Sequence, residues 1–128
     1  MNAYWIYAEN RNGKQLKHTE YGGKWLIFVG AHNALRIWNK IKIATEEGRL
    51  GSMSKIAIAK NSAEFSKSKT RVVCVYTYDW RDEKDARRVR EELRRLGIIR
   101  KIPYKTDEDT ELGVYQNTNV GKVSKYYE

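Results

Sequence analysis

The chain has 128 residues, with 25 Lys and Arg against 16 Asp and Glu, for a net charge of +9. That length holds one domain with a real core and is too short for two ordinary ones, so residues 1–128 are expected to fold as a single domain. The charge favours polyanionic partners such as nucleic acid or phosphorylated ligands, and one cysteine, Cys74, excludes an internal disulfide and a cysteine-rich zinc site.

Tyr4 to Ala8 reads as a first strand, and Asn10 to Gly13 is a turn signal. Polar residues from Lys14 to Gly23 read as a loop. Lys24 to Val29 is a second strand, ended by Gly30. From His32 to Glu47 the apolar residues Ala34, Ile37, Trp38, Ile41 and Ala44 recur at helical spacing, with Leu35 at the edge of the stripe and Gly48 as the stop. Met53 to Lys60 is a third strand, in which Ile56 and Ile58 alternate with Lys55, Ala57 and Ala59. Asn61 to Lys69 is rich in Ser and Lys and reads as a mobile loop.

In the stretch that begins at Arg71, Val72 to Tyr76 is apolar, largely β-branched and aromatic, which predicts an internal strand buried on both faces. The period then switches. Ala86, Val89, Leu93 and Leu96 define a helix between Asp82 and Gly97, with Asp82 as N-cap, acids in the first turn and arginines in the last. Arg100 to Lys105 is a fifth strand that Pro103 restricts to an edge or a ladder end. Thr110 to Gln116 reads as a short sixth strand. Residues 117–128 form a polar, flexible tail whose Tyr126 and Tyr127 either dock or fray. This order predicts an α+β fold: hairpins in a mainly antiparallel sheet of about six strands, with two main helices on one face. Without its outer strands it also reads as strand-helix-strand twice, the ferredoxin-like alternative.

Gly48-Arg49-Leu50-Gly51-Ser52, followed by Lys55, is either an anion-binding loop or a helix stop and turn. The small residues Ala57 and Ala59 beside Lys55 leave room for a ligand, or for a packed helix. Tyr76 and Tyr78 on the neighbouring strand are candidates for stacking on a base. Trp80 is a third, or else a hydrophobic staple at the start of the helix. Arg87, Arg90, Arg94 and Arg95 offer phosphate contacts, but the acids interleaved with them fit ordinary helix support. Arg49, Lys55, Arg71 and Lys105 are the expected phosphate-binding set.

Catalytic signals are few. His18 and His32 show no metal-ligand spacing, so neither metal nor cofactor is expected. Cys74 sits in an apolar strand as an inert thiol, which fits a reducing, cytoplasmic setting. No stretch approaches the ~18 apolar residues of a membrane span and no signal-peptide pattern opens the chain, so no membrane partner is expected.

Several motifs keep a recognisable order and spacing. They are Gly23 to Val29, Trp38, Ala44 to Gly51 with Lys55, Val73 to Thr77, Asp79, Asp82-Glu83, Asp85, Arg88 to Glu91 and Leu96-Gly97. Tyr104-Lys105, Asp107, Thr110, Leu112-Gly113 and Tyr115 follow. Together they resemble the basophilic-leukaemia-expressed protein family, whose members carry a provisional phosphothreonine-lyase label. The resemblance implies a fold similar to the cap-binding translation initiation factor 4E, a curved antiparallel sheet backed by helices. With the charge and the aromatics, it implies a non-catalytic binding protein for RNA or a nucleotide-like phosphorylated ligand. The alternatives are an enzyme acting on a phosphorylated substrate, with Lys55, Arg49, Arg71 and Lys105 as the candidates for a base and charge and His18 as the candidate acid, and a protein-interaction module.

Overall fold

The computed structural model describes residues 3–12, 17–59, 70–108 and 125–128. Its elements in chain order are β1 (Ala3–Glu9), β2 (Gly23–Gly30), α1 (Ala31–Glu46), β3 (Met53–Ala59), β4 (Thr70–Thr77), α2 (Glu83–Arg95), β5 (Pro103–Thr106) and β6 (Tyr126–Tyr127). The strands form one curved sheet in the order β1-β3-β4-β2-β5-β6, and the recorded ladders are antiparallel.

Both helices end where the sequence places the signals. Gly48 and Gly97 follow α1 and α2 with φ of 83° and 105°, the left-handed region in which glycine carries no Cβ penalty. The Asp82 side chain accepts the Asp85 N–H and caps α2. The alternation along each strand then decides what the helices cover. Trp25, Ile27 and Val29 of β2, and Val73 and Val75 of β4, point to one face with Ile56 of β3 and Tyr104 of β5. Ile37, Trp38 and Ile41 of α1 and Ala86, Val89 and Leu93 of α2 pack on that face, so both helices share one side. Trp25 is fully buried and its indole N–H donates to the Ala86 carbonyl at 3.0 Å. Between α1 and β3 the buried Thr45 hydroxyl donates to the Ile41 carbonyl and accepts from the Ser54 hydroxyl, both at 2.7 Å.

Three expectations about pairing change. β1 does not form a hairpin with β2. It pairs along its length with β3, from Ala3↔Ala59 to Glu9↔Met53, and lies at the sheet edge. Tyr7 and Ile6 are largely exposed there, whereas β2 is buried almost throughout and needs neighbours on both sides. β5 is internal, between β2 and β6, and Pro103 sits beyond the last β2 pair, at the ladder end. The sixth strand comes from the expected tail: Tyr126 and Tyr127 pair with Tyr104 and Pro103. The Thr110 to Gln116 strand, the loop at 61–69 and tail residues 117–124 lie outside the described residues.

The ferredoxin-like alternative survives as a substructure. In β2-α1-β3 the two strands run parallel with β4 between them. In β4-α2-β5 they run parallel with β2 between them. Two interleaved crossovers of one hand leave their helices on one face. β1 and β6 extend this four-strand centre to six.

Arg90, expected on the solvent face of α2, is instead fully buried. Its guanidinium donates to the main-chain oxygens of Ile98 at 2.8 Å, Arg100 at 2.5 Å and Glu128 at 3.1 Å. Arg94 donates to the Glu128 oxygen as well, at 2.8 Å. The other helix arginines meet acids: Arg87 with Glu83, Arg88 with Asp85, Arg94 with Glu91 and Arg95 with Glu92. The arginine face is thus a set of short-range ion pairs around one deep anchor.

Candidate ligand-binding face

The residues that alternate with the core positions form the other face of the sheet. Lys24, Leu26 and Phe28 of β2 stand beside Val72, Cys74 and Tyr76 of β4. Lys55 of β3 and Lys105 of β5 flank them, and Trp5 of β1 closes one side. These side chains line a trough of about 440 Å³. Its floor is apolar: Leu26, Cys74 and Tyr76 form a small second cluster joined by Trp5, Met53 and Val72.

Register arranges the charges in rows. Tyr76, Lys24 and Lys105 stand directly opposite one another across β4, β2 and β5. The next row carries Tyr7, Lys55, Cys74 and Leu26 across β1, β3, β4 and β2. Lysines directly opposite on neighbouring strands repel, and Asp107 offsets part of this by accepting from Lys24 at 3.2 Å. The other Asp107 oxygen lies 2.7 Å from Nε2 of His18. His18 meets the Tyr76 ring edge-on at 6.1 Å, which fixes it at the mouth of an adjoining hollow that also contains Glu9 and Asn10. On the other side the Lys55 ammonium sits 3.9 Å from the centre of the Trp5 ring. Among the described residues, no group of three His, Cys, Asp or Glu side chains is placed to hold a metal ion.

Burial pushes the Cys74 thiol up to about 11, against the opposing pull of Lys55 and Lys24. Burial likewise pushes the Tyr76 phenol up, so both groups stay protonated at neutral pH. The thiolate is the reactive form. At pH 8, iodoacetamide should therefore alkylate Cys74 about 100-fold more slowly than a free cysteine, with the rate climbing as pH approaches 11. Alkylation at the free-thiol rate at pH 8 would contradict this.

The structure divides the expected phosphate-binding set. Lys55 and Lys105 share the trough. Arg71 lies on the opposite, helix-covered face. It is 5% exposed, borders a small apolar cavity with Ala34 and Trp38, and donates to the Thr70 carbonyl at 3.0 Å. Arg49 lies beyond the end of α1, bonded to Glu47 at 2.9 Å and Glu92 of α2 at 2.8 Å. Its loop is built as a helix stop. The Gly48 and Arg49 N–H groups donate back to Thr45 and Ala44, and Arg88 takes the Arg49 and Leu50 carbonyls at 3.1 Å. Gly51 is required because a Cβ there would lie 1.8 Å from the Tyr76 carbonyl oxygen.

Of the expected stacking residues, Tyr76 faces the trough. Tyr78 is past the strand end and donates its hydroxyl to Asp82. Trp80 packs against the core ahead of α2, with Lys125 3.9 Å from its ring centre and the Tyr126 hydroxyl on its carbonyl at 2.7 Å, a placement that fits a staple. Trp5 and Lys24 also line the trough, and Asp107 bonds Lys24 beside it; the sequence offers neither Lys24 nor Asp107 as a ligand contact. Strand parity carried a signal for Lys24, which alternates in phase with Leu26 and Phe28.

A curved six-stranded antiparallel sheet with two helices on one face is the fold of the eIF4E proteins. Schistosome eIF4E, solved with m7GpppA and 4E-BP, superposes with a TM-score of 0.62 at 17% identity, covering 85% of this chain and 60% of its own. Ascaris suum eIF4E-3, solved with an m2,2,7G cap, superposes with a TM-score of 0.60 at 17% identity, covering 96% of this chain and 68% of its own. At this identity the likeness is one of fold, and the chain spans 60% of the length of the schistosome protein. The family model of the Basophilic leukemia-expressed protein Bles03 matches residues 15–113, and the chain belongs to that family.

Proposed function

We propose that the open face of the sheet binds RNA or a nucleotide-like phosphorylated ligand and performs no chemistry on it. The observation that carries this reading is the row Tyr76–Lys24–Lys105, with Lys55 one row away, above an apolar floor. Three ammonium groups favour a phosphorylated ligand, and a floor of Leu26, Val72 and Cys74 favours a flat apolar ring. Solved eIF4E neighbours that hold cap nucleotides support the same ligand class for this fold. In this reading the His18–Asp107 pair braces Lys24, since one carboxylate joins both side chains.

The test is a titration of the protein with mixed-sequence oligoribonucleotides and with nucleotides, at low salt and then at rising salt. Affinity should fall with a log–log slope of roughly −1.4 if Lys24 and Lys105 each meet a phosphate, at ~0.7 per contact for single strands. Arg49→Ala should leave the affinity unchanged, because Arg49 is tied to Glu47 and Glu92 away from the trough. Absence of binding by any RNA or nucleotide at low salt would overturn the reading in favour of a protein-interaction module.

A further inference from the structure

Lys55 stands directly opposite Tyr7 on β1 and Cys74 on β4. Its ammonium is 3.9 Å from the ring centre of Trp5, 5.6 Å from that of Tyr76 and 5.9 Å from that of Tyr7. Three rings around one cation is the arrangement with which proteins recognise quaternary and methylated ammonium ligands. Here a side chain of the same chain fills it. A cationic ring entering the trough would meet rings that already hold a charge, and two further lysines, Lys24 and Lys105. The carboxylate facing those lysines, Asp107, is already shared by Lys24 and His18.

Resting on the nucleotide reading above, we propose that Lys55 makes the trough selective for uncharged nucleobases and turns away N7-methylated guanine. Guanine methylated at N7 carries a fixed positive charge and has lost its N7 acceptor. Unmodified guanine presents N7 and O6, the two acceptors to which lysine commonly donates. The Lys55 ammonium therefore repels the first and hydrogen-bonds the second. Held between Trp5, Tyr7 and Tyr76, it is already oriented at the trough wall.

The experiment is a pair of tryptophan-fluorescence titrations at low salt, with GTP and with 7-methyl-GTP. They are repeated with a short RNA carrying one guanine or one 7-methylguanine. Unmodified guanine should bind at least about tenfold more tightly, as expected for like charges a few ångströms apart at a protein surface. Lys55→Met keeps an apolar stem, removes the charge and opens the rings. It should abolish the discrimination or invert it, whereas Lys55→Arg should preserve it. Equal or tighter binding of the methylated ligands by the unaltered protein would overturn the selectivity and leave nucleotide binding intact. Discrimination that survives Lys55→Met would overturn the role given to Lys55. Binding of neither ligand in either form would overturn the nucleotide reading and the selectivity with it.

Discussion

Arg90→Met should lower the unfolding free energy by about 3 kcal/mol. Charge-assisted hydrogen bonds contribute roughly 1.5–3 kcal/mol each, and part of that is offset by no longer burying a guanidinium. The side chain is fully buried on α2 and reaches the segment leading into β5 at Ile98 and Arg100, then β6's neighbour Glu128. Methionine fills similar space but leaves three main-chain oxygens without this donor. Burial, with Arg94 nearby, pulls the Arg90 guanidinium below its usual range, yet arginine stays charged at any ordinary pH. Arg90→Lys should recover only part of the loss, since one ammonium cannot reproduce the planar fork. Urea unfolding followed by circular dichroism reads the change. A loss below about 1 kcal/mol, the size of one ordinary hydrogen bond, would show that the anchor is dispensable.

Neutralising the lysine pair should have the largest effect on binding. Lys24→Gln with Lys105→Gln should weaken RNA or nucleotide affinity by about 100-fold at low salt, taking roughly 1.4 kcal/mol per charged contact. The same change should flatten the salt slope by ~1.4, two phosphate contacts at ~0.7 each. The two lysines are direct partners in the β2–β5 ladder, so two neighbouring phosphates can meet them, one each. An affinity within about threefold of the original, some 0.6 kcal/mol, would move the site away from this trough.

Local signals in the sequence are legible because local physics sets them. Gly48, Gly97 and Asp82 act within one helical turn, and the buried stripes of α1 and α2 follow a period of 3.6. Strand partners were harder, because pairing depends on burial across the whole sheet. The expected β1–β2 hairpin gave way to β1–β3 for that reason. Arg71 was separable from the trough on parity alone. It lies five positions before Tyr76, and an odd separation in a strand puts two side chains on opposite faces. Arg49 offered no such signal, since its fate depends on α1 ending beside Glu92 of α2. The bridge from Lys24 to Asp107 spans 83 residues and leaves no local trace.

That same span has a consequence during synthesis. β2 pairs with β4 and β5, both far downstream, so it leaves the ribosome without either neighbour. At 5–20 residues per second, β5 follows roughly 4–16 s later. Until then the sheet over Trp25, Ile27 and the apolar stripe of α1 stays incomplete, and the interval suits holding by chaperones. Folding from denaturant carries the same burden as a slow, loop-closing search, because the centre of the sheet is assembled from distant segments.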